Sequence, residues 1–317
     1  MAAAIALGER GRGRTAPNPN VGCVIVKDDI VVGRGWTQPG GRPHAEAVAL
    51  AEARGAARDA AVYTGLEPCA HVSDRGPACA DALISAGVAR VFVALQDPDP
   101  RTAGEGIARL RGAGIAVAIG EGADEAAQSM AGFLCRQRLG RPFVTLKLAM
   151  SIDARIAMAD GASRWITGEE ARRHAHVERA RADAILVGRG TFDTDSPYLD
   201  VRIEGLEDLS PRRLTLTSGE APPGWFAIAS PEAIRGLLDV NDLIVEGGTQ
   251  TASAFLAADL IDRLCIYTAP IVIGSAGKAA IGDIGLDALS DAHDRWRRFD
   301  SRVLGSDRLD VYERVRE

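Results

Sequence analysis

The sequence lacks the features of a nucleic-acid-binding or membrane protein. Its 37 Lys and Arg are outnumbered by 43 Asp and Glu, so its net charge is −6, whereas nucleic-acid binding favours a basic domain. No apolar run approaches the roughly 20 residues of a membrane-spanning helix. Residues 1–7 are apolar, but the stretch is short and has no basic region before it, so it is not a signal peptide. We therefore expect a protein that binds neither nucleic acid nor membrane.

Cysteine is also scarce, with five in 317 residues. Without a secretory leader, so few cysteines indicate a reducing compartment, the cytoplasm, and thiols that are free to bind metal. The dinucleotide fingerprint Gly-x-Gly-x-x-Gly follows no predicted strand. With 46% apolar and 25% charged residues, the composition is that of an ordinary globular protein, and its length predicts two domains.

One imidazole and two thiols stand out as a candidate metal site. His44, Cys69 and Cys79 are ligand types that suit zinc, and three protein ligands leave the fourth tetrahedral position open for water. Glu46 lies two residues after the histidine, where it can exchange protons with that water. The order His-x-Glu, Pro-Cys, Cys is typical of zinc-dependent nucleobase deaminases.

The spacing of the thiols leaves alternatives open. Nine residues separate Cys69 from Cys79, whereas the usual pair is Cys-x-x-Cys. The cysteines could instead be core residues, since free cysteine is commonly buried. A zinc-stabilised binding protein without turnover would need a fourth protein ligand. A deaminase of nucleosides or tRNA would share the chemistry, although the acidic charge argues against RNA.

Strands and helices alternate along the chain, which predicts an α/β fold. The β-branched runs at 21–26 and 30–35 form a hairpin, and helices follow at 44–53 and 80–86. A last helix of the first half is predicted over 124–139.

A second α/β unit begins near residue 143. We expect Gly190, Thr191 and Asp195 in a loop after a buried strand, and Arg202 at the end of a short strand. Glu246, Gly247, Gly248 and Thr249 lie between a strand and a helix. Glycines there leave room for a phosphate at the helix N-terminus, but they also make ordinary turns.

Taken together, the motifs resemble those of the bifunctional riboflavin-biosynthesis deaminase/reductase family over nearly the whole chain. The first half matches at Thr15-Ala16-Pro17-Asn18-Pro19-Asn20-Val21-Gly22, His44-Ala45-Glu46, Leu66-Glu67-Pro68-Cys69-Ala70-His71, Cys79-Ala80-Asp81-Ala82-Leu83 and Gln96-Asp97-Pro98-Asp99-Pro100. The second half matches at Leu146-Lys147-Leu148-Ala149-Met150-Ser151, Trp165-Ile166-Thr167, Asp183-Ala184-Ile185-Leu186-Val187-Gly188 and Val245-Glu246-Gly247-Gly248.

The resemblance implies a cytidine-deaminase-like domain over residues 1–142 and a dihydrofolate-reductase-like domain over 143–317. The first would use zinc to deaminate a phosphorylated pyrimidine, a diaminopyrimidinone with a phosphoribosylamino group. The second would use NADPH to reduce the ribosyl group to a ribityl chain. The sequence does not determine the oligomeric state, and a homo-oligomer stays open.

Site residues follow from the matched positions. Glu46 would be catalytic, and His44, Cys69 and Cys79 would hold zinc. The residues expected to contact substrate are Asn20, His71, Arg75, Lys147, Thr167, Asp195, Arg202 and Glu246. The residues expected at the cofactor are Ser151, Gly188, Thr191, Gly247, Gly248 and Thr249. Lys147 and Arg202 suit an anionic phosphate, although an exposed arginine can also serve only in a surface ion pair.

The second half departs from the family pattern in three places. Asp195-Ser196-Pro197 replaces Asp-Asp-Pro, and Asp153-Ala154-Arg155 replaces Asp-Gly-Lys. The stretch between Arg202 and Glu246 is short for the family, in which it supplies strands and part of the cofactor floor. We therefore expect weak binding of NADPH.

Overall fold

The computed structural model describes residues 1–71 and 76–316. The chain divides into two compact units, Met1–Gly140 and Arg141–Glu317. No helix among the described residues is long and apolar enough to cross a membrane. The two units are described separately below.

The first unit is built on a five-stranded sheet. Its strands are β1 (Gly22–Lys27), β2 (Ile30–Trp36), β3 (Ala61–Leu66), β4 (Arg90–Leu95) and β5 (Ala116–Ile119). Their order is β2-β1-β3-β4-β5, with β1 antiparallel to both neighbours and β3, β4 and β5 parallel. Asp28 and Asp29 connect β1 and β2 with φ angles of 48° and 62°, as the tight turn of a twisted hairpin requires.

Helices of the first unit pack on this sheet. They are α1 (Ala2–Gly8), α2 (Ala45–Ala53), α3 (Cys79–Ala86), α4 (Glu105–Gly112), α5 (Ala123–Ser129) and α6 (Ala131–Leu139). The glycines of β2 bring α2 close: a Cβ on Gly33 would lie 2.3 Å from the carbonyl oxygen of Ala49, and one on Gly35 would lie 2.2 Å from that of Ala45. The small residues on both sides therefore fix the position of α2 on the sheet.

The second unit has an eight-stranded sheet and a two-stranded ribbon. Its strands are β6 (Phe143–Ser151), β7 (Arg155–Ala157), β8 (Ala184–Gly188), β9 (Arg212–Leu216), β10 (Phe226–Ile228), β11 (Asp242–Val245), β12 (Arg263–Ala269), β13 (Lys278–Ala279), β14 (Trp296–Leu304) and β15 (Asp307–Arg314). The large sheet has the order β10-β9-β8-β11-β6-β12-β15-β14. The first six strands in this order are parallel to one another. β15 is antiparallel to both of its neighbours, β12 and β14.

In the second unit one helix follows the ribbon strand β7, and two follow the strands β8 and β11 of the large sheet. They are α7 (Glu169–Ala180), α8 (Arg189–Asp195) and α9 (Thr249–Ala257). The strands β8 and β11 are buried along their length and, apart from Asp242 at the start of β11, consist of apolar residues and glycine, as expected for parallel strands covered on both faces. The segment between Arg202 and Glu246 contributes β9, β10 and β11 to the sheet.

Three local predictions are wrong. The helix over 124–139 is interrupted at Met130, where φ is −103° and ψ is 22°, and the preceding Ser129 carbonyl accepts a hydrogen bond from Asn20. The predicted loop after β8 is helix α8, despite its glycine and threonine. Arg202 does not end a strand, because the residues directly before it pair with no other strand.

Candidate active sites

The three candidate metal ligands converge in the first unit. His44 is the N-cap residue of α2, Cys69 follows β3, and Cys79 is the first residue of α3. The His44 Nδ1 atom lies 3.6 Å from the Cys69 Sγ and 3.4 Å from the Cys79 Sγ. The sheet and two helix starts thus bring together residues that are 35 positions apart.

Their spacing fits zinc. Zinc–sulfur bonds of about 2.3 Å and zinc–nitrogen bonds of about 2.0 Å at a tetrahedral angle separate sulfur and nitrogen ligands by roughly 3.6 Å. The three ligand atoms lie within 4.8 Å of one another, and no fourth His, Cys or carboxylate joins this group in the described part of the chain. The donor set is therefore that of a site with one open position.

The two thiols have different affinities for protons. A hydrogen bond with the Cys79 side chain lowers the pKa of Cys69 to about 4, against the effect of burial and with help from His44. The same hydrogen bond, together with burial, raises the pKa of Cys79 well above its ordinary value. Because zinc binds thiolates, metal binding at this pair is coupled to the loss of thiol protons.

Glu46 lies beside this group in the first turn of α2. It is 4% exposed, and the Thr64 hydroxyl donates to its Oε1 atom at 3.4 Å. Burial raises the pKa of Glu46, and the charge of His44 partly offsets the increase. A buried carboxyl with a raised pKa is suited to taking up and releasing a proton.

The other predicted residues of the first unit have different surroundings. The Asn20 amide donates to the carbonyl oxygens of Gly8 at 3.4 Å and Ser129 at 3.2 Å, so its nitrogen serves within the protein. The Nδ1 atom of His71 is buried and has no hydrogen-bond partner among the described residues. Arg75 lies outside the described residues.

In the second unit, Lys147 and Glu246 lie on adjacent strands. The Lys147 Nζ atom is 3.5 Å from the Glu246 carboxylate. Arg179, on α7, donates through Nε and Nη2 to the two oxygens of Glu246 at 2.7 and 2.9 Å. The sequence does not predict a role for Arg179, because it is one of several arginines on a polar helix and nothing in the pattern distinguishes it.

Glu246 stays ionised in this arrangement. Burial opposes its charge, but Lys147 and Arg179 outweigh that effect and lower its pKa to about 2. The carboxylate therefore holds both cations at the carboxyl ends of the central strands, the edge at which open α/β sheets bind ligands.

The remaining predicted substrate residues of this unit are dispersed. Thr167 is buried just before α7, and its carbonyl oxygen accepts a hydrogen bond from Arg172. The Asp195 carbonyl oxygen accepts one from Arg164 at 3.1 Å. Arg202 is exposed and forms an ion pair with Asp200 at 3.3 Å. This is the surface ion pair that the sequence left open as an alternative to a phosphate contact.

The predicted cofactor residues line the ends of β6, β8 and β11. A Cβ on Gly188 would lie 2.2 Å from the Thr251 Oγ1, and one on Gly247 would lie 2.5 Å from the Thr251 Cβ. Both glycines thus serve the packing of α9. At Gly248, the N-cap residue of α9, a Cβ would meet the Thr191 Oγ1 at 3.6 Å, so the backbone has space on that side.

Two of these residues use their hydroxyl groups internally. Thr249 donates to the carbonyl oxygen of Ala279, and Ser151 donates to Asp153 at 2.6 Å. Asp153 also accepts from the amides of Ile273 and Gly274. Ala154 has a φ of 59°, a left-handed conformation that glycine, the residue expected here from the resemblance, adopts at lower cost.

Two family models match the chain. "Cytidine and deoxycytidylate deaminase zinc-binding region" matches residues 1–95, and "RibD C-terminal domain" matches 142–225 and 229–307. The riboflavin biosynthesis protein RibD of Escherichia coli (strain K12) is 41% identical over 92% of this chain and 92% of that protein. The chain belongs to the RibD family.

Solved RibD-family structures share the fold. Acinetobacter baumannii RibD, form 1, has a TM-score of 0.87 and 36% identity over 100% of this chain and 98% of that one. A Thermotoga maritima deaminase/reductase has a TM-score of 0.87 and 29% identity over 99% and 97%. These matches confirm the resemblance and the prediction of a deaminase-like domain followed by a dihydrofolate-reductase-like domain.

Proposed function

We propose that residues 1–142 carry the deaminase site and residues 143–317 the reductase site of a bifunctional enzyme of riboflavin biosynthesis. The Thermotoga maritima relative is named as a diaminohydroxyphosphoribosylaminopyrimidine deaminase and 5-amino-6-(5-phosphoribosylamino)uracil reductase. The observation that carries the proposal is the convergence of His44, Cys69 and Cys79 beside the buried Glu46. The substrate is a phosphorylated pyrimidine.

In the deaminase site, His44, Cys69 and Cys79 hold zinc. Bound zinc supplies a Lewis acid that makes water a stronger nucleophile at neutral pH. Glu46 acts as general base and then as general acid, delivering its proton to the departing ammonia. His71 contacts the substrate through its Nδ1 atom, which has no partner among the described residues, because a buried polar atom without a partner is costly unless a ligand satisfies it. Asn20 and Arg75 complete the proposed contacts.

In the reductase site, NADPH supplies the hydride. Lys147 binds the anionic part of the substrate, and Glu246 orients Lys147. Arg202 reaches a phosphate by exchanging its exposed pairing with Asp200, which surface ion pairs permit at little cost. Asp195 and Thr167 contact the sugar or the ring.

The cofactor side is supported mainly by backbone groups. Gly248 offers open space at the start of α9, and Gly188, Gly247 and Thr191 surround it. The hydroxyl groups of Ser151 and Thr249 are engaged within the protein, so these two residues contribute backbone contacts. We therefore propose binding of NADPH that is weak in affinity and competent for hydride transfer.

None of the five cysteines, all of them described, forms a disulfide, which supports a reducing, cytoplasmic location. We further propose that the protein has no nucleic-acid or membrane partner, and a homo-oligomer stays open.

The purified protein with the diamino substrate tests both halves. We expect the protein to release ammonia without NADPH. Once NADPH is added, we expect it to be oxidised in a single turnover. Titration of NADPH fluorescence measures cofactor affinity separately. Ammonia release with no oxidation at saturating NADPH would mean that the second unit is a degenerate reductase. Release from nucleosides or tRNA alone would move the activity to other nucleobases.

A further inference from the structure

Glu67 binds three backbone amides from a different part of the first unit. It is 3% exposed, and its Oε2 atom accepts from the Asp97 amide at 3.2 Å and the Gly104 amide at 2.9 Å. Its Oε1 atom accepts from the Ile107 amide at 3.0 Å. Gly104 is the N-cap residue of α4, so one carboxylate holds both ends of the segment 97–104, here called the Asp97 loop.

The turn that carries Glu67 also packs directly on α4. A Cβ on Gly106 would lie 2.0 Å from the carbonyl oxygen of Pro68, so only glycine permits this approach. The next residue is the metal ligand Cys69, whose carbonyl oxygen accepts the Ala80 amide at 3.2 Å. The metal-binding turn and the start of α4 are therefore in fixed contact.

The Asp97 loop brings two further carboxylates toward the metal site. Asp97 is buried and lies close enough to Cys69 for their charges to interact. Asp99 has the same relationship with His71. The position of this loop consequently affects the surroundings of one metal ligand and of one residue expected to contact substrate.

We propose that Glu67 is a positioning residue of the deaminase site, which holds the Asp97 loop against the metal-binding turn. The inference rests on the proposed deaminase function. An ionised carboxylate has only acceptors and can receive all three N–H groups, whereas a glutamine would direct its own NH2 at one or two of them. The negative charge also faces the N-terminus of α4, where it is favourable.

Glu67→Gln tests the proposal, with Glu105→Gln as its control, because Glu105 is exposed in the first turn of the same helix. In Glu67→Gln we expect amide hydrogen exchange over 96–107 to accelerate at least tenfold. The KM for deamination should rise at least tenfold, with kcat within threefold, one zinc per chain, and an unchanged reductase KM. The control should match the unaltered protein in every measurement.

A second pair perturbs the same contact without altering a polar group. Gly106→Ala forces α4 away from Pro68, whereas Gly112→Ala, in the last turn of α4, meets nothing within 4 Å. Gly106→Ala should reproduce the exchange and KM effects, and Gly112→Ala should show neither.

Unchanged exchange over 96–107 in Glu67→Gln would overturn the proposal, as would faster exchange with an unchanged KM. Loss of zinc from both Glu67→Gln and Gly106→Ala would also overturn it, since Glu67 would then support the metal-binding turn alone. If the unaltered protein releases no ammonia, the deaminase function fails. The exchange measurement then still decides whether Glu67 holds the loop.

Discussion

Arg179 donates to both carboxylate oxygens of Glu246, at 2.7 and 2.9 Å, while Lys147 approaches the same carboxylate to 3.5 Å. A bidentate arginine–carboxylate pair fixes the orientation of both groups. Lys147 is held more loosely, so it is the cation that can turn to a phosphorylated substrate. The proposed reductase site thus has one rigid pair and one adjustable charge.

Removal of one thiol should remove the metal. Cys79→Ser is expected to lower the zinc content from one per chain to near zero, because two protein ligands hold zinc far less well than three. Elemental analysis of the purified protein measures this. Cys265→Ser is the control, since Cys265 is a buried cysteine of the second unit that forms no disulfide. Undiminished zinc in Cys79→Ser would assign the third ligand elsewhere.

Glu46→Gln should separate metal binding from turnover. We expect zinc to remain while kcat for deamination falls roughly 10²–10⁴-fold, the contribution typical of a general acid and base. Ammonia release measures the loss, and NADPH oxidation with deaminated intermediate should be unaffected. Glu52→Gln, on the exposed face of the same helix and paired with Arg34, should behave as the unaltered protein. Near-normal release from Glu46→Gln would point to His71 instead.

Glu246 should make stability depend on pH. Its pKa is about 2 in the folded protein, below its ordinary value of 4.5. Its contribution is therefore fully present above about pH 4.5 and is lost as the pH falls toward 2. Glu246→Gln leaves Lys147 and Arg179 unpaired and should lower the free energy of unfolding at pH 7 by about 3 kcal/mol.

Urea unfolding at several pH values measures this difference. The gap between Glu246→Gln and the unaltered protein should narrow below pH 4.5. Glu207→Gln, at an exposed position of the same unit, should differ little at any pH. A gap that stays constant down to pH 2 would show that the charge of Glu246 is not what stabilises the site.

Lys147→Ala should impair reduction and leave deamination intact. A charge-assisted hydrogen bond to an anion contributes about 1.5–3 kcal/mol, so we expect kcat/KM for the reductase to fall roughly 10- to 100-fold. Steady-state oxidation of NADPH with the deaminated intermediate measures it. Lys278→Ala, on the exposed strand β13, is the control. Equal activities of the two variants would exclude Lys147 from substrate binding.

Much of the deaminase site could be read from the sequence because its signals are local. His44 and Glu46 are two residues apart at a helix start, and Cys79 begins the next helix, as predicted. Their residue types alone indicate zinc chemistry. The order of motifs along both halves was also sufficient to indicate the family, which the comparisons confirm.

Local periodicity predicted secondary structure less well where the backbone interacts with residues that are distant in the sequence. The predicted helix over 124–139 is interrupted next to Ser129. The Ser129 carbonyl oxygen accepts a hydrogen bond from the side-chain amide of Asn20, 109 residues earlier. Turn-forming residues after β8 suggested a loop, yet they form α8, since neighbouring strands and their connections determine the path there.

The sequence by itself determined the kinds of chemical group present, the alternation of strands and helices, and the family. Only the tertiary structure decided which charges meet. Arg179 reaches Glu246 across 67 residues, and Glu67 reaches Ile107 across 40. Such pairings arise from the order of strands in the sheet and from close packing at glycines. A one-dimensional pattern of residue types records neither, because it encodes neighbours along the chain and not neighbours in space.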